Sequence, residues 1–510
     1  MTSSSQLGSR KAERLLLVLF LLSLPILNPW VRGDGVGYYA FVRAPLIQHN
    51  LDFTRDYQEA NTSFRENRLD ENGQPVAKFR TPTGHLDNHF TVGPAILWAP
   101  FLLVTHAAVL LAREFGSSIP ADGFSRPYRI AMALATAFYA FLGLLISFRL
   151  ARKYVEERWA LLATLAIWWA SSLPLYMYFN PSWSHAHSAF VVALFLWYWH
   201  ETRGSRTLWQ WIVLGAIAGL MLDVYYANAM LLIVLVLEAF REYAAALRGA
   251  AARLSQAASP DAPSAQSPPP VAAETAPARP RLPQLAARHL AFALALLICL
   301  LPTFIAHHII YGSIFASGYI PISHWNWLSP HFLSALFSSD HGLISWTPIL
   351  LFAFLGLIAF WRSVPRVGLA FLAAALAFYY FIASYPDWDG ISSYGNRFFV
   401  SLTPLFILGL AVFLERVARL FRSRRAALGA ACAFLACFVL WNAGLMFQWG
   451  THLIPARGPI SFPQMIRNQF VVVPRQITTQ LESYLFRRKA LMRQIEQRDV
   501  DQLKRNPPPP

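Results

Sequence analysis

Long apolar runs recur along almost the whole chain, each close to the roughly 20 residues that a helix needs to cross a bilayer. Hydrophobic residues make up 55% of the 510 residues and charged residues only 14%, a balance that excludes an ordinary soluble domain. We therefore predict an all-α, polytopic membrane protein with about eleven transmembrane helices. The predicted spans are residues 14–30, 128–148, 159–178, 185–200, 208–222, 225–240, 289–311, 343–361, 366–383, 398–416 and 426–446.

The distribution of positive charge predicts which loops face the cytoplasm. Alternate loops, beginning with the N-terminal residues 1–13, contain 22 Lys and Arg residues when the end residues of the spans that border them are included. The short loops on the other side after residue 127 contain one, Arg397. Cytoplasmic loops of membrane proteins are enriched in Lys and Arg. We therefore expect a cytoplasmic N-terminus and an opposite face in the periplasm or cell exterior. The net charge of +16 is read as a signal of topology and does not predict nucleic-acid binding.

A further apolar run, residues 93–112, inverts this pattern if it crosses the membrane once. Because Pro94 and Pro100 interrupt the run, we predict an interfacial or re-entrant pair of helices within a long first outer loop. A second crossing between residues 93 and 127 gives the same topology and is the alternative.

Composition divides the rest of the chain. An N-terminal transmembrane core, residues 14–248, includes the outer loop 31–127. Residues 249–285 are rich in Ala and Pro without a hydrophobic period, which predicts a disordered cytoplasmic linker. Residues 286–447 supply the remaining spans, and residues 448–510 form a polar tail on the outer side.

Asp34 is the candidate catalytic residue. It lies directly after the first apolar run, between Gly33 and Gly35, where the chain leaves the membrane on its outer side. A carboxylate in this position can act as a general base that deprotonates an acceptor hydroxyl. It can also bind a divalent cation that neutralises a departing phosphate. A loop or helix-terminal carboxylate without a chemical role is the alternative.

Three residues are candidates for binding a donor phosphate. Arg397 offers a planar, permanently charged fork that suits phosphate oxygens, although a snorkelling arginine or a partner for Asp389 would look the same in sequence. His185 begins a predicted span and can donate to phosphate, and Lys78 lies in the first outer loop. A satisfied interfacial histidine and a solvated lysine are the alternatives.

Other polar and aromatic residues on the outer side are candidates for a substrate pocket. The alternating His85, Asp87 and His89 are as typical of a solvated loop as of a metal site. We therefore keep Asp34 alone as a candidate metal ligand. The pocket candidates are Tyr38, Tyr39, His85, Asn88, Trp183, His324, Trp388, Asp389 and Tyr394.

The order of these motifs resembles that of the C-type (GT-C) membrane glycosyltransferases, and within them the bacterial mannosyltransferase and aminoarabinose-transferase-like branch. The resemblance covers residues 14–447. It implies an inverting transferase in the bacterial inner membrane that moves a sugar from a polyprenyl-phosphate donor to a lipid, glycan or protein acceptor at the outer face. The motifs that carry it are Gly33-Asp34-Gly35-Val36-Gly37-Tyr38-Tyr39, Asn88-His89-Phe90-Thr91-Val92-Gly93-Pro94, Pro181-Ser182-Trp183-Ser184-His185 and Tyr394-Gly395-Asn396-Arg397.

Two departures from the family pattern bear on the mechanism. Many relatives have an acidic pair in the first outer loop, but here Gly35 follows Asp34, and the second outer turn contains His185 instead of a carboxylate. A divalent cation is therefore left open. A flippase or transporter of a lipid-linked glycan and a non-catalytic membrane scaffold are the alternative functions. The scarcity of ionisable residues within the spans argues against an ion-coupled transporter.

Overall fold

The structure, a computed structural model, describes residues 3–65, 68–257, 282–455 and 457–505. Within these ranges the regular structure is helical apart from two isolated β-bridges, which confirms the predicted all-α class. The first ten helices are α1 (Ser3–Ser23), α2 (Asp34–Arg43), α3 (Thr54–Gln58), α4 (Thr62–Arg65), α5 (Gly93–Glu114), α6 (Arg126–Ala151), α7 (Glu157–Trp169), α8 (His185–Thr202), α9 (Leu208–Val224) and α10 (Ile233–Ala257). The others are α11 (Leu282–Tyr311), α12 (Phe332–Phe337), α13 (Leu343–Trp346), α14 (Ile349–Ser363), α15 (Pro365–Ser384), α16 (Thr403–Ala418), α17 (Arg424–Gly450), α18 (Phe462–Arg467), α19 (Val473–Phe486) and α20 (Arg488–Arg505).

Among the described residues, six helical segments are long and apolar enough to cross a membrane, and α9 and α14 are shorter apolar helices. Each predicted span overlaps a helix, although some are interrupted. The predicted span 159–178 is broken, because α7 ends at Trp169 and a separate helical turn covers Leu175–Phe179. The six long segments are Gly93–Glu114, Arg126–Ala151, Leu282–Tyr311, Pro365–Ser384, Arg397–Ala418 and Arg424–Gly450.

The basic loops lie at one end of the helical bundle, where ion pairs connect them. Arg149, at the end of α6, binds Glu13 of α1 with an N–O distance of 2.7 Å. We call this the Glu13 end, and the opposite end, where α2 begins, the Asp34 end. Three further contacts lie in or beside the loops predicted to be cytoplasmic: Lys153 with Glu201, Arg206 with Glu238, and the Glu156 amide with Glu415.

The apolar run at 93–112 is one continuous helix, so the predicted break into a pair was wrong. Pro94 lies in the first turn of α5, where a missing N–H leaves no bond unmade, and Pro100 lies within the helix without ending it. An apolar helix of 22 residues results.

The contacts of α5 show where this helix runs. Its Trp98 indole donates to the Thr136 hydroxyl at 2.9 Å, and His106 contacts the Tyr128 hydroxyl at 2.6 Å. The earlier residue of α5 contacts the later residue of α6, so the two helices are antiparallel. Both contacts lie in the N-terminal half of α6, which is the half far from Glu13. In this structure α5 therefore stays on the side of the Asp34 end.

The described part of the predicted tail includes α18 to α20, which pack at the Asp34 end. The Tyr484 hydroxyl donates to the Ile26 carbonyl at 2.7 Å, and Arg488 donates to the Leu27 carbonyl at 2.6 Å. The tail thus binds the short segment that follows α1. In the predicted linker, residues 249–257 and 282–285 are helical parts of α10 and α11, and residues 258–281 lie outside the described ranges.

Candidate active site

Glycines bring the helix that begins with Asp34 close to its neighbours. Gly33 has a φ of +53°, a left-handed conformation that glycine adopts without a steric penalty. A Cβ atom at Gly35 would overlap the Ser182 hydroxyl, and one at Gly37 would overlap the Phe90 ring. Gly35 therefore lets α2 pack directly on the turn before α8, and Gly37 lets it pack on the segment before α5.

We expect Gly35→Ala to destabilise the protein by about 1–3 kcal/mol, because the new methyl group has no space beside Ser182. The measurement is the thermal unfolding midpoint of the purified protein in detergent. Gly429→Ala is the matched control, since a Cβ there meets no atom within 4 Å and alanine favours helix. Equal midpoints for the two variants would contradict the tight contact.

An ion pair joins the two residues that the sequence singled out. Nη1 of Arg397 lies 2.5 Å from Oδ2 of Asp34. The Arg397 side chain is 11% exposed and that of Asp34 is 33% exposed. The carboxylate thus reaches solvent while its cationic partner is largely enclosed.

Aromatic residues fix the plane of the Arg397 guanidinium. Its carbon lies 4.5 Å from the ring centre of Trp183 and 5.4 Å from that of Phe398. The Trp183 indole is itself held by a 3.0 Å hydrogen bond to the Arg32 carbonyl. Nε of Arg397 is buried without a hydrogen-bond partner among the described residues, so the guanidinium retains an unused donor.

Asp34 and Arg397 line a cavity of about 1240 Å³ at the Asp34 end. Tyrosine and tryptophan rings form much of its wall, including Tyr225, Tyr319 and Trp325. Cationic side chains outnumber carboxylates, which suits an anionic ligand with an extended polar or apolar part. The cations are Arg32, Arg68, Lys78, Arg397, Arg457 and Arg505, and the carboxylates are Asp34, Asp387 and Asp499.

Two further residues supply hydrogen-bonding groups to this wall. His185 is buried, lines the cavity and has no partner for Nδ1 among the described side chains. The Tyr38 hydroxyl accepts a hydrogen bond from Ser184 at 3.0 Å. Burial raises the pKa of Tyr38 to about 12, so its hydroxyl keeps its proton near neutral pH and can donate to a ligand.

The structure brings six of the predicted site residues to the cavity: Asp34, Arg397, Lys78, His185, Tyr38 and Trp183. The other seven do not line it: Tyr39, His85, Asn88, His324, Trp388, Asp389 and Tyr394. Several of these form internal hydrogen bonds. Asn88 donates to the Gly37 carbonyl at 3.0 Å, Tyr39 to the Gly123 carbonyl at 2.7 Å, and Tyr394 to Asn442 at 2.7 Å. These three side chains therefore bind other parts of the protein and do not line the cavity.

Asp389 belongs to a separate cluster with Asp340 and His341, whose ligand atoms lie within 4.8 Å of one another. Nδ1 of His341 contacts the Asp389 carbonyl at 3.0 Å. Burial, with a smaller effect of Asp389, raises the pKa of Asp340 to about 6, and burial lowers that of His341 to about 4. Across the described ranges no such group of three includes Asp34, whose observed partner is a guanidinium. The divalent cation considered for Asp34 therefore stays a prediction.

Sequence reasoning missed several residues of the cavity. Arg68 packs against Phe64, with its guanidinium carbon 4.1 Å from the ring centre, and its surroundings in the sequence form no motif. Arg457 and Arg505 come from the tail, which the sequence placed on the outer side without a structure. A local pattern cannot reveal them, because only the tertiary fold brings the tail to the cavity.

Among solved structures, the chain is similar to ArnT from Cupriavidus metallidurans. The apo structure matches with a TM-score of 0.44 and 12% identity over 92% of this chain and 75% of the other. The structure bound to undecaprenyl phosphate matches with a TM-score of 0.46 and 14% identity over 89% and 73%. A scan of protein-family models and a search of curated proteins return no match. At TM-scores below 0.5, this similarity assigns no activity, substrate or residue role to this chain.

Proposed function

We propose that this protein is a membrane glycosyltransferase that takes a sugar from a polyprenyl-phosphate donor. The observation that supports it is the Asp34–Arg397 pair within a large cavity rich in cations and aromatic rings. A carboxylate beside a guanidinium provides a proton acceptor and an anion-binding group at one place. Transfer of a sugar from a lipid phosphate to a hydroxyl needs both.

In this proposal the donor phosphate binds Arg397 and competes with Asp34 for the guanidinium. The released carboxylate then accepts the proton from the acceptor hydroxyl as that oxygen attacks the anomeric carbon. The bond between the anomeric carbon and the phosphate oxygen breaks, and its electron pair leaves with the polyprenyl phosphate. Direct displacement inverts the anomeric centre, and Arg397 stabilises the negative charge that develops on the leaving group.

The remaining wall residues have supporting roles. Lys78 adds positive charge toward the phosphate, and the unpartnered Nδ1 of His185 can hydrogen-bond the donor. Tyr38 donates a hydrogen bond to the sugar, and Trp183 keeps the guanidinium in plane. We place the Asp34 end at the outer face of the bacterial inner membrane, because the basic loops gather at the Glu13 end. The acceptor is a lipid, a glycan or a protein.

The test uses purified wild-type protein in lipid vesicles with a panel of radiolabelled polyprenyl-phosphate sugars. We expect release of undecaprenyl phosphate together with the appearance of label in a new product when acceptor lipids are present. The same vesicles report the alternative, since a flippase would expose donor on the opposite leaflet without consuming it. Movement of intact donor without turnover would contradict the transferase, and the absence of both would favour the scaffold.

A further inference from the structure

The helix α20 contacts Arg32, which lies just before the turn into Asp34. Oδ2 of Asp499 binds Nη2 of Arg32 at 2.5 Å, and Oδ1 accepts from Nε2 of His452 at 2.8 Å. Burial opposes ionisation of Asp499, but Arg32 and His452 outweigh it and lower its pKa. Asp499 is therefore a charged link between the tail and the residue two positions before Asp34.

A second contact of α20, made by Glu496, leads through Asn61 to Gly33, the residue that follows Arg32. Oε1 of Glu496 accepts hydrogen bonds from Nδ2 of Asn61 at 3.0 Å and from the Ser63 amide at 2.5 Å. Oδ1 of Asn61 in turn accepts from the Gly33 amide at 3.2 Å. Asn61 thus joins Glu496 to the glycine whose positive φ begins the turn into α2.

These links converge on one short segment of backbone. Arg32 and Gly33 immediately precede Asp34, and Gly33 is a flexible residue whose conformation must be imposed by its neighbours. The carbonyl of Arg32 also accepts from the Trp183 indole, on which Arg397 stacks. A shift of residues 32 and 33 would therefore move both members of the Asp34–Arg397 pair.

We propose that Asp499 and Glu496 are positioning residues, and that α20 holds Asp34 in its reactive geometry through Arg32, Asn61 and Gly33. This inference rests on the proposed function of Asp34 and adds to it an element near the other end of the chain. The same helix forms part of the cavity wall through Asp499, Leu503 and Arg505. Docking of α20 and the geometry at Asp34 are therefore linked.

The test compares Asp499→Ala and Glu496→Ala with Asp501→Asn in the full-length protein. Asp501 is an exposed residue of α20 whose carboxylate accepts from Gln497 on the same helix, so it controls for changes in the helix itself. We expect Asp499→Ala to accelerate amide hydrogen exchange in residues 488–505 and also in residues 32–40. Transfer turnover should fall about 10- to 100-fold with little change in donor KM, because misplacement of a reacting group affects the chemical step. Glu496→Ala should act in the same direction, and Asp501→Asn should behave as wild type.

Faster exchange confined to residues 488–505, with exchange at 32–40 and turnover unchanged, would overturn the positioning role. A global loss of protection in Asp499→Ala would indicate misfolding, and Glu496→Ala then decides by the same two readouts. If the wild-type protein transfers no sugar from any donor, the proposed function fails. Exchange at residues 32–40 still decides whether α20 holds this segment, because it requires no turnover.

Discussion

Asp34→Asn is expected to lower sugar transfer by about 10²–10⁴-fold, the contribution typical of a general base. The amide has nearly the same shape as the carboxylate but cannot accept a proton from the acceptor hydroxyl. The substitution also removes the negative charge that competes for Arg397. We therefore expect undecaprenyl phosphate to bind more tightly, so that turnover and affinity change in opposite directions.

This opposite change distinguishes a chemical role from a structural one. Turnover is measured with a radiolabelled donor in vesicles, and binding with undecaprenyl phosphate titrated into the same protein preparation. Asp501→Asn makes the same chemical change at an exposed position and should leave both quantities at wild-type values. A loss of binding in parallel with turnover would assign Asp34 to donor binding, and unchanged turnover would remove it from the mechanism.

Arg397→Ala is expected to weaken binding of undecaprenyl phosphate about 10- to 100-fold, because a hydrogen bond to a charged group contributes about 1.5–3 kcal/mol. It also leaves the Asp34 carboxylate without its cation at the edge of the cavity. Arg397→Lys should be intermediate, since lysine keeps the charge but loses the planar fork and the stacking on Trp183.

The order of affinities, wild type above lysine above alanine, is the informative result. Arg419→Ala is the matched control, because Arg419 lies at the Glu13 end with its side chain 73% exposed and pairs with Glu415, four residues before it. Its binding of undecaprenyl phosphate should equal that of wild type. Wild-type affinity in Arg397→Ala would contradict the proposed phosphate site.

The helices could be predicted from the sequence because the length of an apolar run is a local property. The runs at 128–148 and 426–446 correspond to α6 and α17. Prolines were less informative. Pro94 and Pro100 suggested a break in the run at 93–112, but the first occupies a position in the initial turn of α5 where no N–H is needed.

The candidate pair could also be found in the sequence, since Asp34 and Arg397 are charged residues close to the ends of apolar runs. The structure adds that they bind each other. The pocket candidates were harder to sort, because a polar residue beside a span can face the cavity or its back. Tyr394 and Tyr38 are both buried tyrosines, yet Tyr394 bonds to Asn442 behind the wall while Tyr38 lines the cavity.

The tail shows what a local pattern leaves out. Residues 488–505 are polar, and nothing in their composition indicates where they dock. Their position depends on single ion pairs and hydrogen bonds to residues more than 400 positions away, such as Asp499 with Arg32 and Glu496 with Asn61. Contacts of this kind have no periodicity, so only the folded structure reveals them.

The most direct test of the central claim is single-turnover sugar transfer from a radiolabelled polyprenyl-phosphate donor by the wild-type protein and Asp34→Asn, side by side in vesicles at saturating donor. The account predicts a new labelled product and free polyprenyl phosphate with the wild-type protein, and donor that stays bound but intact with the variant. Equal rates in the two proteins would contradict catalysis at Asp34.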